Sequence, residues 1–154
     1  MVDVLHSSLT GADSHEPKGV ESATVGQVYI ANGTGGGAWT TQINKYQLTV
    51  ELTDVSTASS AYIVVPIAGT ITSIYTVLHG AIATADAGIT TEVNGVAVTG
   101  GDLTIAFTSS AAGDIDITSP SANKTVAIGD LLEVITDGAS TNTIRATVVF
   151  IIQE

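Results

Sequence analysis

The chain has 154 residues, 44 % of them apolar and 12 % charged, a length that suits one domain with a sizeable core and an apolar share that excludes a disordered chain. Its formal net charge is −11, with Lys18, Lys45, Lys124 and Arg145 as the only cations, so the clustered basic residues that nucleic acid or an anionic membrane surface would require are missing. No cysteine is present, which excludes a disulfide framework, a thiolate nucleophile and a cysteine-ligated metal.

Residues 1–20 are polar, broken by Gly11, Pro17 and Gly19, and carry no periodicity. The start, MVDVLHSSL, lacks a charged segment leading into an apolar run, so no secretion signal is expected and synthesis in a cytoplasm is the expectation. No apolar run reaches the roughly 18 residues of a membrane span. The stretch GQVYIANGTGGGAWTT (Gly26–Thr41) predicts a small hairpin, Val28–Ile30 against Ala38–Thr40 around the loop Asn32–Gly37. It holds the only tryptophan of the chain, Trp39. Together with the preceding residues it forms an arm, residues 1–42, that buries too little to fold alone.

The body, residues 43–154, reads as an antiparallel β-sandwich of jelly-roll type, all-β, with roughly eight or nine strands. Tyr46, Leu48, Val50 and Leu52 alternate with polar residues and point inward. Ala61–Val65 is continuously apolar, which predicts a strand buried on both faces, stopped by Pro66. Thr70–Leu78 is a further strand, and the Ala-rich Gly80–Ala87 suits a loop or a short helical turn. Asn94-Gly95 lies between alternating runs, and both residues tolerate the positive φ of a type I′ turn. A two-residue loop sets Val93 opposite Val96, Glu92 opposite Ala97 and Thr91 opposite Val98. The face with Thr91, Val93, Val96 and Val98 is read as the core side. Asp102–Thr108 places Leu103, Ile105 and Phe107 on one face. Ile115 and Ile117 alternate with Asp114, Asp116 and Thr118. Gly129-Asp130 introduces Leu131–Ile135. In Thr143–Gln153, Ile144, Ala146, Val148, Phe150 and Ile152 share the core face. Val149 and Ile151 make the other face apolar too, so this strand should have a second partner, a covering loop or another subunit.

No catalytic constellation stands out. His6 and His15 are too far apart for a local ligand pair, and His79 beside Gly80 reads as a solvated or interface imidazole. The chain has neither a G-x-S-x-G elbow nor H-E-x-x-H. Calcium needs about six to eight converging oxygens, whereas Asp114 and Asp116 share one face of a strand and read as a solvated face, and Asp130 and Asp137 read as turn residues. Gly33–Gly37 lacks the Lys-Ser/Thr of a phosphate loop. The expectation is a non-enzyme with no cofactor and no metal.

Two segments of the arm, LTGADSHEPKGV (Leu9–Val20) and GQVYIANGTGGGAWT (Gly26–Thr40), resemble an N-terminal module found on bacteriophage virion proteins. Thr70–Gly101, Ser109–Val134 and Asp137–Ile152 are similar to small phage head decoration (cement) and head fibre proteins. The resemblance covers most of the chain and implies a structural protein on the outer surface of a phage capsid. It also implies a homo-oligomer, a trimer by analogy, with the major capsid protein as partner. Alternatives of other kinds are a head or tail fibre with a receptor- or carbohydrate-binding sandwich, and a bacterial adhesive sandwich. In this reading the arm attaches to the capsid through Leu9, His15, Pro17, Lys18, Tyr29 and Trp39, and Val149 and Ile151 meet a neighbouring subunit.

Overall fold

The computed structural model describes residues 23–34 and 36–154, among which there is no helix. The chain divides into two units, Met1–Ile43 and Asn44–Glu154.

In the first unit, β1 (Gln27–Ala31) and β2 (Gly37–Thr41) form a two-stranded antiparallel sheet of their own. Tyr29 stands opposite Trp39 and Ile30 opposite Ala38. Asn32 organises the loop. Its Oδ1 accepts from the Thr34 and Gly36 backbone N–H groups and the Thr34 hydroxyl, each at 3.0 Å. An asparagine that satisfies local backbone donors is a common turn device, and it gives this glycine-rich run a defined path.

The second unit holds β3 (Lys45–Leu52), β4 (Ser59–Val64), β5 (Gly69–Leu78), β6 (Ala87–Val93), β7 (Val96–Ala97), β8 (Leu103–Ile105), β9 (Ile115–Thr118), β10 (Thr125–Val126), β11 (Leu131–Thr136) and β12 (Ala146–Gln153). One sheet runs β10-β5-β12-β3, with β9 also on β5; the other runs β4-β11-β6-β7, with β8 also on β6. All pairings are antiparallel. Without the two-residue strands β7 and β10, the sheets are β9-β5-β12-β3 and β4-β11-β6-β8. That pair of four-stranded orders, reached by a chain that keeps changing sheet, is jelly-roll topology.

The core lies between the sheets. β12 sits between β5 and β3 and sends Ala146, Val148, Phe150 and Ile152 inward, all fully buried. Ile71, Ile74 and Leu78 of β5 join them, as do Ile89 of β6 and Leu132 and Val134 of β11. The β5–β12 register slips between Ile151 and Ile152, which leaves Thr72 as the extra residue. Its hydroxyl donates to the Ile151 carbonyl at 3.2 Å, so the bulge is held by a side chain. Among the described residues no buried side-chain nitrogen or oxygen lacks a hydrogen bond. Thr136 and Ser140, for example, both donate to the Val55 carbonyl.

The Asn94-Gly95 hairpin has the predicted register, Val93 opposite Val96 and Glu92 opposite Ala97, with φ of 51° and 79° at the two turn residues. The structure also corrects several expectations. Thr91 and Val98 are buried and Val93 packs on the core, but Val96, on the two-residue edge strand β7, is exposed. β4 is an edge strand rather than one buried on both faces: Ala61 and Ile63 face the core while Tyr62 and Val64 are 55 % and 59 % exposed. β8 stops at Ile105 and leaves Phe107 exposed, and β12 begins at Ala146 rather than Thr143. Tyr46, at the start of β3, is at the rim of the sandwich, and its hydroxyl donates to Glu154 Oε2 at 3.3 Å. Gly80–Ala87 contains no helical turn; Ala83 bridges Thr141, and Ile82 is buried.

Candidate partner-binding surfaces

Tyr29 and Trp39 are brought together by the β1–β2 register. Their ring centroids are 5.4 Å apart at an interplanar angle of 64°, an edge-to-face pair. Both are half-buried. Alternation puts Val28 and Ile30 on the opposite face of the hairpin, where both are exposed. The hairpin thus presents apolar side chains on both faces. Leu9, His15, Pro17 and Lys18 lie outside the described residues.

Val149 and Ile151 occupy the face of β12 that points away from the core, half-buried between their strand neighbours. Val149 stands between Thr49 of β3 and Tyr75 of β5, and Ile151 between Gln47 and Ser73. The next strand out extends this apolar face. β9 pairs Ile117 with Tyr75 and Ile115 with Val77, and the two isoleucines are 56 % and 64 % exposed. β9 therefore turns its apolar side to solvent and its acid inward: Asp116 Oδ2 accepts from the buried Thr76 hydroxyl at 3.4 Å. Burial pushes the Asp116 carboxyl above the usual range, against the Thr76 hydrogen bond, and the neighbouring Asp114 adds to the rise. Alternation in Asp114–Thr118 reveals two faces but not which one is inside, so the contribution of Ile115, Ile117, Tyr75 and Val77 to this patch was not legible from sequence.

One end of the same face is polar. Arg145 Nη1 lies 3.4 Å from Glu51 Oε2, and Arg145 Nη2 lies 3.3 Å from His79 Nδ1. His79 Nε2 lies 2.7 Å from Thr147 Oγ1, so the ring, at the end of β5, links Arg145 and Thr147 of the neighbouring β12 segment.

The turn acids Asp114 and Asp130 are engaged by protein donors. Asp114 Oδ2 accepts from the Ala111 N–H, and Asp130 takes the Ala127 N–H and the Asn94 amide. The Ala127 bond, then that of Asn94, lowers the Asp130 carboxyl below its usual range against a desolvation cost. Among the described residues no group of three or more His, Asp or Glu could hold a metal ion. An open groove of about 530 Å³ runs between the Val93–Val96 turn and Ser121–Thr125. It has no aromatic lining, and its one cation, Lys124, is tied to the Pro120 carbonyl at 2.8 Å. A sugar platform would stack on aromatic faces.

No protein-family model matches the chain, and no curated protein matches it.

Proposed function

We propose that this chain is a structural virion protein that binds the outer surface of a bacteriophage capsid and decorates and stabilises the head. The observation that carries the reading is the two-part build. A jelly-roll body with a complete core is joined to a separate two-stranded hairpin whose apolar content is Tyr29, Trp39, Val28 and Ile30. A lone two-stranded hairpin is marginal in water, so this one is suited to gaining its stability from a surface it binds. An aromatic pair is the usual anchor of such a contact. The resemblance of the arm segments to a module of bacteriophage virion proteins, and of the body segments to phage head decoration and head fibre proteins, supports the same reading.

The partner is then the major capsid protein. The protein acts as a homo-oligomer, a trimer by the resemblance, in which the face bearing Val149, Ile151, Ile115 and Ile117 meets a neighbouring copy. The groove between Val93 and Thr125 gives no matching support to a carbohydrate-binding fibre head. A protein that binds the finished shell and not its free subunits stabilises the shell by mass action.

Sedimentation with capsids that lack the protein, from the phage whose genome encodes it, tests this. Saturable co-sedimentation and a raised disruption temperature of the shell are expected. Protein that stays in the supernatant at all concentrations rules the reading out.

A further inference from the structure

The four sheet edges of the sandwich are not equally guarded. Natural sheets blunt their edges with charge, inward-pointing acids, bulges or very short strands, because an open row of N–H and C=O groups templates pairing with another chain. β3 carries Lys45 and Glu51. On the opposite edge of that sheet, β9 turns Asp116 inward and β10 has two residues. In the second sheet, β7 has two residues and β8 three. β4, the remaining edge, has none of these protections. It is six residues long, SSAYIV, without charge or proline, and its register with β11 runs unbroken from Ser59–Thr136 to Val64–Leu131.

Which backbone groups β4 leaves open follows from its neighbours. The Val65 N–H donates to Asp130, and Leu131 bonds away from β4, toward Asn94. Antiparallel ladders alternate, so Ile63, Ala61 and Ser59 bond β11. Ser60, Tyr62 and Val64 then aim their N–H and C=O groups off the edge. Among the described residues, no strand pairs them there.

We infer that β4 is a strand-addition edge whose occupant is β4 of a second copy, paired antiparallel about a two-fold axis at Tyr62. The sequence is self-complementary in that register. Ser60 meets Val64 of the partner subunit, Tyr62 meets Tyr62 of the partner subunit, and Val64 meets Ser60 of the partner subunit. All are residues with open backbone groups, so about six hydrogen bonds form. An isologous contact of this kind closes after two copies. Charge permits it. Copies of a −11 chain repel, yet β4 contributes no charge. The nearest acid in its row, Glu133, accepts the Tyr62 hydroxyl at 2.8 Å from one strand further in. The two Glu133 carboxylates would be about three strand spacings apart, roughly 14 Å, beyond the Debye length at physiological salt. The contact is distinct from the Val149–Ile151 face and holds whatever larger assembly the protein joins.

Two variants of the full chain test it. Tyr62→Pro removes an N–H that β11 does not use, a position where an edge strand accepts proline, but it deletes the central donor of the proposed pairing. By light scattering, the mass of this variant should be lower than wild type by a factor of about two. The chain has no native cysteine, so Tyr62→Cys introduces a single thiol. At a hydrogen-bonded antiparallel pair the Cα atoms are about 5.5 Å apart, within disulfide reach. Mild oxidation should give a covalent dimer, while Thr104→Cys, exposed on the β8 edge, should not. A mass unchanged in a folded Tyr62→Pro, or a Tyr62→Cys yield no greater than that of Thr104→Cys, overturns the inference. If Tyr62→Pro fails to fold, the crosslink alone decides.

Discussion

Asn94 does more than turn the chain. Its φ of 51° opens the hairpin, while its Oδ1 accepts from the Leu131 N–H at 2.9 Å and its Nδ2 donates to Asp130 Oδ1 at 2.8 Å. The turn was legible because few residues accept positive φ. The link to β11 was not, because it joins positions 36 and 37 residues apart. Asp116 is a carboxylate whose environment opposes its charge. Its carboxyl titrates above the usual range because burial outweighs the Thr76 hydrogen bond. For a carboxyl raised in the folded state, ionisation favours unfolding. Stability is therefore lost as pH rises from the ordinary value of about 4 through the folded one. Asp116→Asn keeps an acceptor for Thr76 and removes the charge. It should raise the melting temperature at pH 7 and have no effect near pH 3, where the acid is already neutral. Thermal melts at the two pH values check this, and an equal shift at both would contradict it.

β12 shows how much, and how little, alternation reveals. Its inward row was readable from sequence, since Ala146, Val148, Phe150 and Ile152 fall on every second position and are all buried. Its outer row was readable as apolar, but the strands beside it were not. Only the fold puts Tyr75 of β5 and Ile117 of β9 in the same lateral row as Val149. In β4 the apolar run AYIVV suggested burial on both faces, and the edge position overrode it, because only one face of the strand meets the core. The two faces of β12 should respond differently to substitution. Phe150→Ala empties the centre of the core and should cost about 3–5 kcal/mol. Val149→Lys, on the half-buried outer face, should cost far less in the melting of the sandwich yet dissociate the subunits. Chemical denaturation paired with light scattering separates the two effects. A Val149→Lys protein that keeps the wild-type mass would remove this face from the assembly.

At the scale of the whole molecule, the division at Ile43–Asn44 frames the functional account. The body has a core of 18 buried apolar side chains, all within Asn44–Glu154, so it should fold without the hairpin. The hairpin has one aromatic pair and exposed Val28 and Ile30. Neither cysteine chemistry nor clustered positive charge offers another route to a partner. Composition and the Gly26–Thr41 punctuation made this hairpin legible from sequence. The proposal of a capsid as its partner draws on a resemblance, because a docking surface has no fixed spacing of the kind that marks a catalytic motif. The most direct test compares the full chain with a truncation that begins at Asn44, both incubated with capsids lacking the protein and then sedimented. The truncated chain should keep its β-sheet circular dichroism and a cooperative melt, and remain in the supernatant while the full chain pellets with the particles. Equal co-sedimentation of the two would contradict attachment through the arm.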